Sequence, residues 1–497
     1  DGIGIDMVKI CCPFIVPYIT HIINQCLSFS VFPSAWKIAH VIPIPKNKNP
    51  TQYKDLRPIS ILPTLSKILE KVMKLQMYEY LEGNNLLSTY QSGFRKNHSC
   101  TTALLNVTND IFHATDAGML TIMVMLDFSK AFDTISHRLM NSILLYYGFE
   151  SSAVELISCY LSCRSQRVVV NNVKSSVNNL VSGVPQGSVL GPLLYVIYSN
   201  YICSTLTKCK YHQYADDTQI YYSFRPDQLH FAMEIVNREL NGLVNAAFDH
   251  NLHINSSKSS VMIFGRDQVR ASTIPFIKIK IQDTELTITD VAKNLGLHLD
   301  YRLKFKEHIN CSVGKAFATL KRLYPNRHIL SVQTKIYLSD ALILSHFNYC
   351  DAVYGACIDS TSIARIQRVQ NACLRFIYGI RRGDHISHKI REAGWLNMSE
   401  RRFLHTAVLY RKIIDTKTPS YLLDRLRYRT DIHNLNLRHR GLLDIPLHAT
   451  ENFKKSFSYN IANVVNSLSP NLTSLNLNMF KKKLKSELLQ FRISIMM

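Results

Sequence analysis

Apolar residues recur at helical spacing through residues 65–81 (Leu65, Ile68, Leu69, Val72, Leu75), and Gly83 follows as a stop. A second helix is predicted over residues 101–114, with Leu104, Leu105, Thr108, Ile111 and Phe112 on one face. Then the period changes. Residues 121–128 form a short, continuously apolar run rich in Ile, Val and Met, the pattern of a central strand covered on both faces, and it delivers Asp127 at its end. Three consecutive valines within residues 167–171 predict another strand, and residues 211–223 a hairpin with Asp216 and Asp217 at its middle. Upstream, residues 15–27 read as a helical lead-in packed on the next domain, and residues 43–50 as an exposed, Pro-punctuated basic loop. Beyond about residue 300 strand signals thin out, and helices are predicted over 332–345, 363–377 and 400–414. Helices mixed with separated strands predict an α+β sheet, not a βαβ repeat.

Composition adds three constraints. At 497 residues and 46% apolar content the chain can bury a large core in two to four domains. No stretch approaches the roughly 18 uncharged apolar residues of a membrane-spanning helix, so no membrane is expected. Beginning at Asp1 with no basic segment and signal-type apolar core behind it, the chain reads as a piece of something longer. The 12 cysteines lack the paired spacing of a zinc site and are expected as reduced thiols of an intracellular protein.

Net charge is +22 and unevenly spread: residues 1–300 carry 26 Lys and Arg against 23 Asp and Glu, residues 301–497 carry 32 against 13. A near-neutral half followed by a strongly basic one, with Arg381/Arg382, Arg401/Arg402 and the run Lys481 to Lys483, predicts a second half that grips phosphate backbone. A merely solvated basic surface is the bland reading.

A carboxylate at the end of a buried strand needs a neutralising cation. Two adjacent carboxylates at a hairpin tip repel each other unless metal is bound. Taken singly, an Asp-Asp pair in a turn is usually a turn. Order changes that: Asp127, then Gly183-Val184-Pro185-Gln186-Gly187-Ser188, then Tyr214-Ala215-Asp216-Asp217. This set resembles the reverse transcriptases of non-LTR retrotransposons, jockey-like in type. The resemblance extends to Leu56-Arg57-Pro58-Ile59-Ser60, Gln91-Ser92-Gly93-Phe94-Arg95, the segment ending in Lys258, and Asn294-Leu295-Gly296.

The resemblance implies a right-hand polymerase, with fingers and an antiparallel palm over residues 46–300, a helical thumb over 301–400 and a basic helical region over 401–497, after the lead-in 1–45. It implies two Mg2+ ions, replaceable by Mn2+, on Asp127, Asp216 and Asp217. Lys258 would protonate the leaving pyrophosphate, while Lys46, Arg57 and Arg95 would clamp the triphosphate. Phe128 and Phe132 would line the nucleotide site, with Phe132 excluding a ribose 2′-hydroxyl, and Gln186 and Gly187 would contact the nascent base pair. Leu295-Gly296 resembles a primer grip. The implied partners are an RNA template, a DNA primer and deoxynucleoside triphosphates, the implied place of action is the nucleus, and an endonuclease domain would lie outside this chain. Two other readings stay open: a decayed copy that binds nucleic acid without polymerising, and a related right-hand polymerase of intron-maturase or viral RNA type, the last disfavoured by Phe132.

Overall fold

The computed structural model describes residues 4–432 and 441–490. Residues 1–3 of the expected lead-in and residues 433–440 and 491–497 of the expected C-terminal region lie outside them. Five strands make the principal sheet, in the order Thr287–Ile288, Ser260–Phe264, β3 (Leu120–Leu126), Asp217–Phe224 and Lys210–Tyr214. Every pairing is antiparallel except that of Ser260–Phe264 with Thr287–Ile288. β3 is central, and its two faces enter different cores. Leu120, Ile122, Val124 and Leu126 belong to one, Met123 to the other. Burial on both faces is why its sequence shows no polar alternation.

The first core packs that sheet on α2 (Thr64–Gly83) and on the helices Gly191–Ser199 and Leu229–Asp249. The second joins α3 (Cys100–Asp116) to the helices Lys306–Leu323, Ser360–Tyr378 and Phe457–Asn466. A third, small core pairs Leu396, Phe403 and Leu404 with Phe480, Leu484 and Leu488. Described residues beyond 420 return to the sheet: Tyr421, Leu443 and Phe457 share the second core with Met123 and Tyr221. A second sheet is built from β1 (Ile38–Pro45), which pairs antiparallel with β2 (Leu56–Ile61) and parallel with β5 (Arg164–Val170).

Three expectations are corrected. The loop expected at residues 43–50 begins only after Pro45, because Pro43 and Pro45 continue β1 opposite Pro58 and Leu56. The strand expected over 121–128 stops at Leu126, and Phe128 starts a separate two-residue strand, β4 (Phe128–Ser129). The lead-in is one helix, α1 (Ile5–Ser28), that carries Pro13 and Pro17 inside it. At 24 residues it is longer than the stretch expected over 15–27 and, contrary to the expectation that no such segment exists, long and apolar enough to cross a membrane by length and composition. Most of α1 is exposed, with Val8, Ile23 and Cys26 buried.

Candidate active site

Tyr214 opposes Asp217 across the hairpin, which leaves Ala215 and Asp216 as its two-residue turn. Ala215 adopts φ +57°, a left-handed conformation that costs a residue with a side chain on the order of 1 kcal/mol. Close packing maintains it: Gly93 lies so near that a Cβ there would sit 2.2 Å from the Ala215 amide nitrogen.

Asp127 follows the central strand, whose partner on one side is the strand begun by Asp217. Pairing of β4 with His253–Ile254 folds the next loop back over Asp127. There the Asn255 amide donates to the Asp127 carbonyl at 2.8 Å, and the Asp127 amide to Ser259 Oγ at 3.3 Å. Lys258 Nζ is thereby brought 3.7 Å from Asp127 Oδ2.

The three carboxylates feel one another. Burial, then the charge of Asp127, raises the Asp216 pKa, and Arg57 opposes the rise. The Asp217 pKa is pushed up to about 6 by burial first and then by the charges of Asp216 and Asp127. Asp217 is open to solvent at the hairpin tip, yet surrounding protein still strips much of the hydration from its carboxyl.

Around this centre the structure gathers some expected residues and not others. Phe132 stacks on Tyr195 with ring centroids 4.6 Å apart and meets Phe94 edge-on at 6.3 Å. In the 183–188 loop, Gln186 Nε2 donates to Asp133 Oδ1 at 2.9 Å. The Gln186 carbonyl accepts from the Ser60 amide at 2.7 Å. Gly187 takes φ +110°, and a Cβ there would lie 2.8 Å from the Ser60 carbonyl, so this position admits only glycine without strain. Arg57 is exposed on β2, within electrostatic reach of Asp216. Lys46 sits in the exposed loop after β1 and donates to the Lys54 carbonyl at 2.8 Å. Lys481, Lys482 and Lys483 are exposed on the helix Leu477–Gln490, whose Phe480, Leu484 and Leu488 are buried.

Two expectations do not survive. The Phe128 ring is buried in the first core, so it supports the strand end and presents no face to a nucleotide. Arg95 is committed elsewhere: it donates to both Glu82 carboxylate oxygens at 2.8 and 2.7 Å and to the carbonyls of Ser88 and Gln91 at 2.7 and 3.2 Å. Its charge is matched by Glu82, and it fastens segment 91–95 to α2.

The family model of the reverse transcriptase (RNA-dependent DNA polymerase) matches residues 44–299, just over half the chain. The chain belongs to this family. It is 30% identical over 373 residues to the probable RNA-directed DNA polymerase from transposon X-element of Drosophila melanogaster, covering 73% of this chain and 40% of that protein. It is 28% identical over 377 residues to the RNA-directed DNA polymerase from mobile element jockey of the same species, with the same coverage. The chain thus spans about two fifths of the length of these curated relatives. Apo telomerase from Candida tropicalis, truncated from its C-terminal domain, overlays on 54% of each chain at TM-score 0.37 and 11% identity, a likeness too loose to carry weight.

Reverse transcriptases use divalent metal ions. Among the described residues, no group of three or more His, Cys, Asp or Glu stands close enough to form a ready metal cage. The expected cage is in that respect not preformed, and the carboxylate of Asp127 faces Lys258. The donor set still fits a hard cation. It is all carboxylate oxygen, and the raised pKa values of Asp216 and Asp217 mark a place that favours added positive charge.

The reverse transcriptase site also contains residues that sequence reading missed. Tyr195, which backs Phe132, lies inside an all-apolar helix pattern. Its hydroxyl pKa is raised by burial and then by the charge of Asp216. Glu70, fully buried on α2, accepts from the amides of Val189 and Leu190 at 2.8 and 3.1 Å and so anchors the end of the 183–188 loop. A glutamate recurring off the apolar face gave no such signal.

Proposed function

We propose that this chain is the polymerase portion of a non-LTR retrotransposon protein, extending a DNA 3′ end on an RNA template in the nucleus. The observation that carries the reading is the electrostatic convergence of Asp127, Asp216 and Asp217 from two adjacent strands. Two Mg2+ ions, or Mn2+ in their place, held by these carboxylates would activate the primer hydroxyl and stabilise the departing pyrophosphate. The chain's own groups do the rest. Phe132, held by its stack on Tyr195, closes the space a ribose 2′-hydroxyl needs. Arg57 and Lys46 offer positive charge to the triphosphate, and Lys258 a proton to the leaving group. Backbone at Gly187 and the Gln186 side chain face the nascent pair, and the basic residues after 300 hold phosphate backbone whatever its sequence.

Primer extension by the full chain on a poly(A) template with an oligo(dT) primer and Mg2+ tests this. Deoxynucleotides are incorporated far in excess of ribonucleotides, and Asp216→Asn abolishes synthesis while leaving RNA affinity unchanged. Retained extension by that variant would defeat the assignment. A second reading, a decayed copy that only binds, draws on the basic C-terminal half. Tight RNA binding by the unaltered chain without any synthesis would favour it.

A further inference from the structure

We infer that Tyr421, more than a hundred residues beyond the family match, is a positioning residue for the turn that presents Asp216. The inference rests on the polymerase reading above.

The turn is held by segment 91–93. Gln91 Oε1 accepts from the Gly93 amide at 2.8 Å and from the Ala215 amide at 3.1 Å. The Ser92 amide donates to the Gln213 carbonyl at 2.8 Å, and the Gln213 amide to the Tyr90 carbonyl at 2.9 Å. Gln91 and Ser92 are fully buried, so these bonds face little competition from water.

Segment 91–93 is in turn held from its far side. Ser92 Oγ lies 2.8 Å from His212 Nε2 and 2.8 Å from the Tyr421 hydroxyl. One arrangement of protons satisfies the whole chain of contacts. Arg425 donates to Asn106 Oδ1 at 2.7 Å, which turns the Asn106 amide nitrogen toward His212 Nδ1 at 3.3 Å. His212 then carries its proton on Nε2 and donates to Ser92, Ser92 donates to the Tyr421 oxygen, and Tyr421 donates to Thr102 Oγ1 at 3.1 Å. Burial holds His212 neutral, as this direction requires. Tyr421 and Arg425 come from the C-terminal region, His212 from the hairpin itself. The hairpin bearing Asp216 is thereby clamped between its own sheet and the returning end of the chain.

A brace predicts a defect in the chemistry, not in substrate binding. Tyr421→Phe removes the hydroxyl and keeps the ring against Tyr90, His98 and His212. Gln91→Met removes the acceptor at similar volume. In the full chain each lowers kcat for primer extension about tenfold, the effect of one lost hydrogen bond of ordinary strength. Each leaves the template–primer Kd and the KM for deoxynucleotide within twofold. Terbium(III), a luminescent hard cation sensitised by the tyrosines beside the hairpin, binds severalfold more weakly. The double variant is no worse than the poorer single, because both break one linkage. Should Gln91→Met not fold, Ser92→Ala reads the same link. Unchanged kcat and terbium affinity in a folded Tyr421→Phe protein, additive losses, or a defect confined to template–primer affinity would overturn the inference. If the unaltered chain synthesises nothing, the polymerase reading fails on its own, and terbium affinity still decides the brace.

Discussion

Lys258 Nζ stands 3.7 Å from Asp127 Oδ2, although the two residues lie on opposite sides of the hairpin in sequence. The Lys258 side chain is 68% exposed and that of Asp127 40%, so the pair contributes little to folding. Its placement beside the carboxylates fits a proton donor better than a strut. Lys258→Met therefore lowers kcat for primer extension by about 10²-fold, with the midpoint of thermal unfolding unchanged. A fall in unfolding midpoint that matched the activity loss would return Lys258 to a structural role.

Gly93 is fixed by proximity. A Cβ at this position would lie 2.2 Å from the Ala215 nitrogen and 2.9 Å from its Cα. Backbone cannot yield as a flexible side chain can, so Gly93→Ala must push the turn. Overpacking of this kind costs roughly 1–3 kcal/mol, read by urea denaturation. Activity falls further than stability does, because the displaced turn carries Asp216; equal losses in both would show that the clash relaxes away from the site.

Legibility followed the physics of each element. β3 and the hairpin were readable because a strand buried on both faces must be apolar throughout, and because two acids at a tight turn stand out between aromatic strands. Asp127, Asp216 and Asp217 were named from motif order, Phe132 and Lys258 from the family resemblance; in the folded chain the charge of Asp127 acts on both hairpin acids, and Lys258 stands beside it. Phe128 and Arg95 were misjudged because sequence order cannot distinguish an aromatic facing the core from one facing a ligand, or a free cation from one matched by Glu82. The polar stripe on α3 was likewise invisible. Asn106, Asn109, Asp110 and Asp116 resemble a solvated face until the C-terminal region docks on them through Arg425, Ser458 and Thr450.

That seam has its own test. The Asp110 side chain, 13% exposed, accepts from Arg425 at 2.8 Å, Tyr221 at 2.8 Å and Lys210 at 3.1 Å. Burial alone would raise its pKa, but Arg425 and Lys210 outweigh that and lower it. Arg425→Met leaves the carboxylate with one cation fewer in a largely dry place and destabilises the fold by about 3 kcal/mol, measured by urea denaturation at pH 7. Adding Asp110→Asn restores part of the loss, because the uncompensated charge is gone. A double variant as unstable as the sum of the two singles would deny the pairing.

His212 makes the fold sensitive to acid. It is fully buried, and its pKa is lowered to about 3, by desolvation first and then by the nearby His98, with Asp110 pulling weakly the other way. The unfolded chain takes up the imidazole proton near pH 6.5, the folded chain only near 3. Between those values the unfolded state binds more protons, so stability rises with pH; the contribution is complete above pH 6.5 and is lost as pH falls toward 3. Each pH unit in that window costs on the order of 1.4 kcal/mol for one such group. His308, lowered to about 4 by burial and then by His298 and Lys315, adds a term of the same sign over a narrower range. Asp217, raised to about 6, works against them below that pH, so urea midpoints fall from pH 6.5 to 5 less steeply than the two histidines alone would dictate. His212→Asn starts less stable at pH 7, because Ser92 loses its donor, but declines more gently through the same window. An unchanged slope in that variant would mean that His212 is not the group taking up the proton.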